Sequence, residues 1–111
     1  MTSMPTGHVT FLFTDVQGST VLWDQQHDAM HAALAEHDEL LLAAIATNDG
    51  YVFSTAGDSF GAAFPTTSAA VLAATSAQIA LSTAQSDLTL RVRIGVHSGQ
   101  ASIRDGNYFG I

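Results

Sequence analysis

Two strand-like runs, Tyr51–Ala56 and Ser59–Phe64, meet at Gly57-Asp58 in the middle of the chain. A two-residue turn containing glycine between such runs predicts a β-hairpin. Pro65 ends the second run, because it has no N–H to give a ladder. A helix-like stretch flanks the hairpin on each side. Upstream, the pattern predicts a helix from about Asp28 to Ala46, with Met30, Ala33, Leu34, Leu41, Ala44 and Ile45 on one stripe. Asn48-Asp49-Gly50 ends it, with Gly50 suited to the cap. Downstream, Thr67 to Ala84 is alanine-rich and free of proline and glycine, which predicts a helix able to pack closely.

A further strand-like run lies beyond each helix in the sequence. His8 to Thr14 points Val9, Phe11 and Phe13 one way and Leu12 the other, the pattern of a central strand. Leu88 to Val96 alternates, with Leu88, Leu90, Val92, Ile94 and Val96 inward and Thr89, Arg91, Arg93 and Gly95 outward. Gly18-Ser19-Thr20 offers a turn and an N-cap for a short helix at Val21-Leu22-Trp23. Ser98-Gly99 and Asp105-Gly106-Asn107 read as turns, with room for a short strand between them. The order β, α(α), β, β, α, β predicts an α+β fold: a ferredoxin-like, split βαβ antiparallel sheet with helices on one face. Residues 1–7 read as an N-terminal tail and 8–111 as one domain.

In that topology the first strand lies antiparallel to the third, so the end of one meets the start of the other. Asp15 and Asp58 therefore arrive at the same edge. Each has an ordinary use, Asp15 as a helix cap and Asp58 as a turn residue. Each also follows a run that reads as buried, where an unpaired carboxylate is costly. A divalent cation would pair both. Mg²⁺-like ions take oxygen ligands and share them with substrate phosphates, so Asp15, Asp58 and the Val16 carbonyl suit such a site. Two ions would activate a hydroxyl and hold leaving phosphates. The backbone N–H groups near Gly18, Ser19 and Thr20 form an anion site, with Arg93 as the nearby cation.

Charge narrows the partners. The formal net charge is −7, lysine is absent, and Arg91, Arg93 and Arg104 are the only strong bases. That balance disfavours nucleic acid and anionic membranes, both of which need a basic surface. With no cysteine, disulfides and thiolate metal sites are excluded. No apolar run approaches the roughly 20 residues that span a bilayer, and Met1–Gly7 lacks signal-peptide features, so a cytoplasmic address is expected. His27 and His31 have the spacing of a zinc-protease helix, but Asp28 stands where Glu is required and a solvated face fits better. His97 reads as a packed histidine, Trp23 as core or interface, and Glu36, Asp38 and Glu39 as a wet helix surface. Asp15-Val16-Gln17-Gly18 lacks the Gly-rich, lysine-bearing loop a GTPase switch would require.

Phe11-Leu12-Phe13-Thr14-Asp15-Val16-Gln17-Gly18-Ser19-Thr20 resembles the first metal motif of the class III nucleotide cyclases, the adenylate and guanylate cyclase superfamily. Thr55-Ala56-Gly57-Asp58 with Ala62-Ala63-Phe64 resembles the second. Arg91 to Gly99 resembles the fourth core strand, and Asp105 to Gly110 the segment after it. The Leu22-Trp23 pair is similar to bacterial members often joined to transcriptional regulators. The resemblance implies two Mg²⁺ or Mn²⁺ ions on Asp15, Asp58 and the Val16 carbonyl. It implies phosphate contacts from Gly18, Ser19, Thr20 and Arg93, and a head-to-tail homodimer. The implied reaction is attack of the ribose 3′-hydroxyl of a nucleoside triphosphate, ATP foremost, on its α-phosphate.

The chain departs from the family at two base-reading positions. Ser54 stands in place of the adenine-selecting lysine, and Asn107 in place of its aspartate partner. Both are hydrogen-bonders that donate or accept, so GTP is open as a substrate. The family's transition-state Asn and Arg lie beyond the last residue, Ile111. The 111-residue chain alone is therefore expected to be nearly inactive. The same ending is expected to leave apolar strand faces uncovered, as in a piece of a larger protein or a tight oligomer. Two other readings are an inactive cyclase-like nucleotide-binding or dimerisation module that regulates attached domains, and a general ferredoxin-like interaction domain.

Overall fold

The computed structural model describes residues 3–109. Gly110, the last residue of the final motif, and Ile111 lie outside them. The elements are β1 (His8–Val16), α1 (Ser19–Gln25), α2 (His27–Thr47), β2 (Tyr51–Ala56), β3 (Ser59–Phe64), α3 (Thr67–Ser82), β4 (Val92–Gln100), β5 (Ile103–Arg104) and β6 (Asn107–Tyr108). The main sheet has the order β2-β3-β1-β4 with every neighbour antiparallel, the expected split βαβ arrangement. β5 and β6 form a separate small hairpin. No helix among the described residues is long and apolar enough to cross a membrane.

One sheet face is covered by α2 and α3. α2 buries Met30, Ala33, His37, Leu41, Ala44 and Ile45, and α3 buries Ala70, Ala73 and Ala77. They close over Leu12, Phe60, Ala62 and Phe64. Alanine at three positions of α3 lets its backbone approach both the sheet and α2. Thr66 caps α3 by accepting the Ala69 N–H at 3.1 Å.

The opposite face carries Val9, Phe11, Phe13 and Asp15 of β1, alternate positions on one strand. Phe11, Phe53 and Tyr108 form an aromatic cluster there, edge to face, with Tyr108 5.1 Å from each of the other two. The β5–β6 hairpin delivers Tyr108, whose hydroxyl donates to the Pro5 carbonyl at 2.6 Å.

Three local expectations are corrected. The Leu88–Leu90 alternation is not strand: β4 begins at Val92 and runs on through Ser98 and Gly99, which pair with Thr10 and Val9. The central strand β1 offers partners as far as His8, and those ladder bonds override the turn preference of Ser-Gly. Leu88 and Leu90 instead line a partly open cavity of about 90 Å³ beside Glu36 and His37. The end of α2 also differs. Asp49, not Gly50, takes the left-handed conformation (φ 63°). A Cβ on Gly50 would sit 2.4 Å from Ile45 Cγ2 and 2.7 Å from the Phe64 ring, so glycine is required there by packing. Finally, Gly18 caps α1, without a side-chain hydrogen bond from Ser19 or Thr20.

Candidate functional site

The site is built where β1 ends. Asp15 and Val16 are its last residues, and β1 is hydrogen-bonded on both sides, to β3 and to β4. Asp58 lies in the β2–β3 turn, which Gly57 makes possible by adopting φ 62°. The Asp58 Oδ2 accepts the Val16 N–H at 2.9 Å, across 42 positions of sequence. Thr14, buried one residue earlier, accepts the Phe60 N–H on its Oγ1 at 3.2 Å. Two side-chain bonds thus fix the turn against the end of β1, and the aspartates share one edge of the sheet.

Asp15 has a partner within the chain. Arg93 faces it across the β1–β4 register. Arg93 Nε donates to Asp15 Oδ1 at 2.7 Å, and Nη2 donates to Oδ2 at 2.9 Å, a bidentate fork. The pair is solvent-accessible, with side-chain exposures of 66% for Arg93 and 44% for Asp15. The hydrogen bond and the charge of Asp15 raise the Arg93 pKa above its ordinary value, so the guanidinium stays charged at every working pH. The apolar runs before Asp15 and Asp58 predict carboxylates buried at strand ends. Both are instead half-buried, so the protein's own groups and water bear part of their solvation.

Asp15 and Arg93 open onto a cleft of about 560 Å³ lined also by Phe13, Phe53, Ser54 and Gly95 among others. Its floor is a row of three residues in register, Gly61, Phe13 and Gly95. A Cβ at Gly95 would meet nothing within 4 Å, so that position is open space. Gly61 is held bare by the Phe53 ring, 2.9 Å from where its Cβ would stand. Neither glycine is apparent as a site residue in the sequence. Their only signal is glycine inside a strand pattern, which marks close approach by another group.

The predicted residues are thus partly gathered. Asp58 bonds the Val16 N–H and Arg93 clasps the adjacent Asp15. Asp15, Arg93 and Ser54 line one cleft, Ser54 beside a β-bulge between Val52 and Ser54. Val16 and Asp58 are not among its lining residues. Gly18, Ser19 and Thr20 follow within four residues of Val16, at the start of α1. Asn107 is not among the cleft-lining residues. It sits in the β5–β6 hairpin, where its Oδ1 accepts the Tyr108 N–H at 2.9 Å. His27 and His31 flank Trp23, at ring distances of 5.4 and 6.3 Å. Among the described residues no group of three or more His, Asp or Glu side chains converges on one point. Two carboxylates and a backbone carbonyl are hard oxygen donors whose number fits Mg²⁺ or Mn²⁺ that completes its shell with water and phosphate, but not an all-protein metal cage.

Residues 1–105 match the adenylate and guanylate cyclase catalytic domain family, and the chain belongs to that family. It is 40% identical over 77 residues to an adenylate cyclase of Lachancea kluyveri, covering 69% of this chain and 4% of that protein. An uncharacterised Mycobacterium tuberculosis protein is 39% identical over 109 residues, covering 96% of this chain and 36% of that one. In three dimensions the chain is similar to an adenylate cyclase of Trypanosoma brucei solved in its monomeric state. That similarity has a TM-score of 0.87 and 28% identity, covering 97% of this chain and 66% of the other. The chain therefore spans only part of the length of each of these relatives.

Proposed function

We propose that this chain is the catalytic domain of a nucleotide cyclase that converts ATP to a cyclic nucleotide and pyrophosphate in intracellular signalling, in the cytoplasm. One observation supports the reading most: Asp58 is bonded to the Val16 N–H at the end of β1, next to Asp15, which lines a cleft together with the Arg93 guanidinium that clasps it. Family membership and the adenylate cyclases among its relatives support the reaction class and the choice of ATP.

Asp15, Asp58 and the Val16 carbonyl are the groups that would hold two Mg²⁺ or Mn²⁺ ions. Bound there, such ions lower the pKa of a hydroxyl and neutralise phosphate charge. The chain's own residues do the rest. The Val16–Asp58 bond sets the spacing of the two carboxylates. Gly18, Ser19 and Thr20 turn backbone N–H groups toward the β- and γ-phosphates. Arg93 binds the triphosphate. Ser54 and Asn107 occupy the base-reading positions, and a head-to-tail pair of chains brings each metal edge against the base-reading side of its partner.

The test offers ATP and GTP, with Mn²⁺, to the chain alone and to the chain extended at its C-terminus, with cyclic product separated by chromatography. The extended protein is expected to release cyclic AMP, and Asp15→Asn or Asp58→Asn to lower the rate at least about 100-fold. No cyclic product from either nucleotide in the extended protein would sink the proposal.

A further inference from the structure

We propose that Arg93 is a built-in counterion that competes with the metal for Asp15, so that the metal edge is latched until a triphosphate arrives. The inference rests on the reading of Asp15 as a metal ligand and adds how its occupancy is controlled.

The fork uses both carboxylate oxygens of Asp15, at 2.7 and 2.9 Å. A divalent ion taking either oxygen loses the space and the charge balance that the guanidinium now occupies, because two cations would face one carboxylate. Ion and Arg93 therefore compete for the same carboxylate. The strand register makes this competition permanent, since Asp15 and Arg93 are direct cross-strand partners and cannot drift apart.

Exposure keeps the latch weak. Exposed ion pairs are worth little, and even a bidentate one is a modest barrier to a competing cation. The released guanidinium needs a new anion, and Arg93 lines the same cleft as Asp15, where a polyphosphate supplies one. Among the described residues no other arginine or lysine lines that cleft. Metal binding thus frees the phosphate-binding cation, and phosphate binding frees the metal-binding carboxylate. Coupling of this kind is reciprocal, so each ligand raises affinity for the other by the same factor. The physical consequence is a site that binds free divalent ions more weakly than it would without Arg93 and fills more readily in the presence of a triphosphate.

The test measures Mn²⁺ binding without nucleotide, by electron paramagnetic resonance of the free ion. Arg93→Met is expected to bind Mn²⁺ about two- to tenfold more tightly than the unmodified chain. Arg93→Lys, which keeps the charge and loses the fork, should fall between. Arg104→Met removes the same charge away from Asp15 and should change binding less than twofold. As a second readout, the Nε–H nuclear magnetic resonance signal of Arg93 should leave its paired position as Mg²⁺ is added, and Asp15→Asn should abolish that response. That readout decides the matter even if Arg93→Met folds poorly.

The outcomes separate the two ideas. Asp15-dependent Mn²⁺ binding that Arg93→Met leaves unchanged or weakens overturns the latch and leaves the metal edge standing. Binding that Asp15→Asn does not affect, or none in any variant, overturns both.

Discussion

At the scale of single residues, Asp58 has two duties that separate experimentally. Its carboxylate satisfies the N–H of Val16, which is 3% exposed, and a buried donor left alone costs about 1–3 kcal/mol. Asp58→Ala is therefore expected to lower stability by that amount without any metal, read as a shift in urea midpoint. Asp58→Asn keeps an acceptor and should lose far less, while losing the charge. Gly50→Ala brings a methyl to 2.4 Å from Ile45 Cγ2 and 2.7 Å from Phe64, both in the core. Overpacking of this kind costs about 1–3 kcal/mol, and the expected drop in thermal midpoint is measurable by circular dichroism. Gly95→Val is the contrasting case, since its side chain enters open space. Stability should be unchanged, while affinity for a triphosphate analogue, measured by calorimetry, should fall.

At the scale of elements, one side chain ties the connection between α3 and β4 to α2. Glu36 of α2 accepts the N–H groups of Gln85 and Ser86 at 2.9 and 3.0 Å, and the Ser86 hydroxyl as well. These bonds, the Ser86 hydroxyl first, lower its pKa below the ordinary 4.5. A depressed carboxylate adds stability that is present above its unfolded value and lost as pH falls through the folded one. The thermal-midpoint difference between the unmodified chain and Glu36→Gln should thus be constant above about pH 5 and shrink below the ordinary glutamate range. A difference that grew on acidification would contradict this role. Local chemistry explains what was legible here. The β2–β3 hairpin and Pro65 declare themselves through turn residues, and α3 through its alanines. Leu88 and Leu90 misled because alternation cannot tell a strand from a loop pinned to a helix by a distant glutamate. The same limit hid His37, a polar residue on the buried stripe of α2, where its ring stacks on Phe60 with centroids 6.1 Å apart.

At the scale of the molecule, topology made the site legible and electrostatics did not. The split βαβ order alone brings Asp15 and Asp58 to one edge, as the hairpin register realises. That Arg93 would clasp Asp15 does not follow from alternation, which says only that Arg93 faces outward. The open sheet face carries Phe13, 40% exposed, beside Phe53. The proposed homodimer buries this face, so Phe13→Asp is expected to shift sedimentation toward the monomer at equal protein concentration. The position of β1 has a last consequence. A one-residue slip in its pairing would invert every side chain along it, sending the metal-edge aspartate into the helix layer and a threonine to the cleft. Chemistry here is phase-locked to a backbone ladder: an insertion or deletion inside that strand preserves the reaction only where a bulge absorbs it and restores the frame beyond, as the bulge in β2 does.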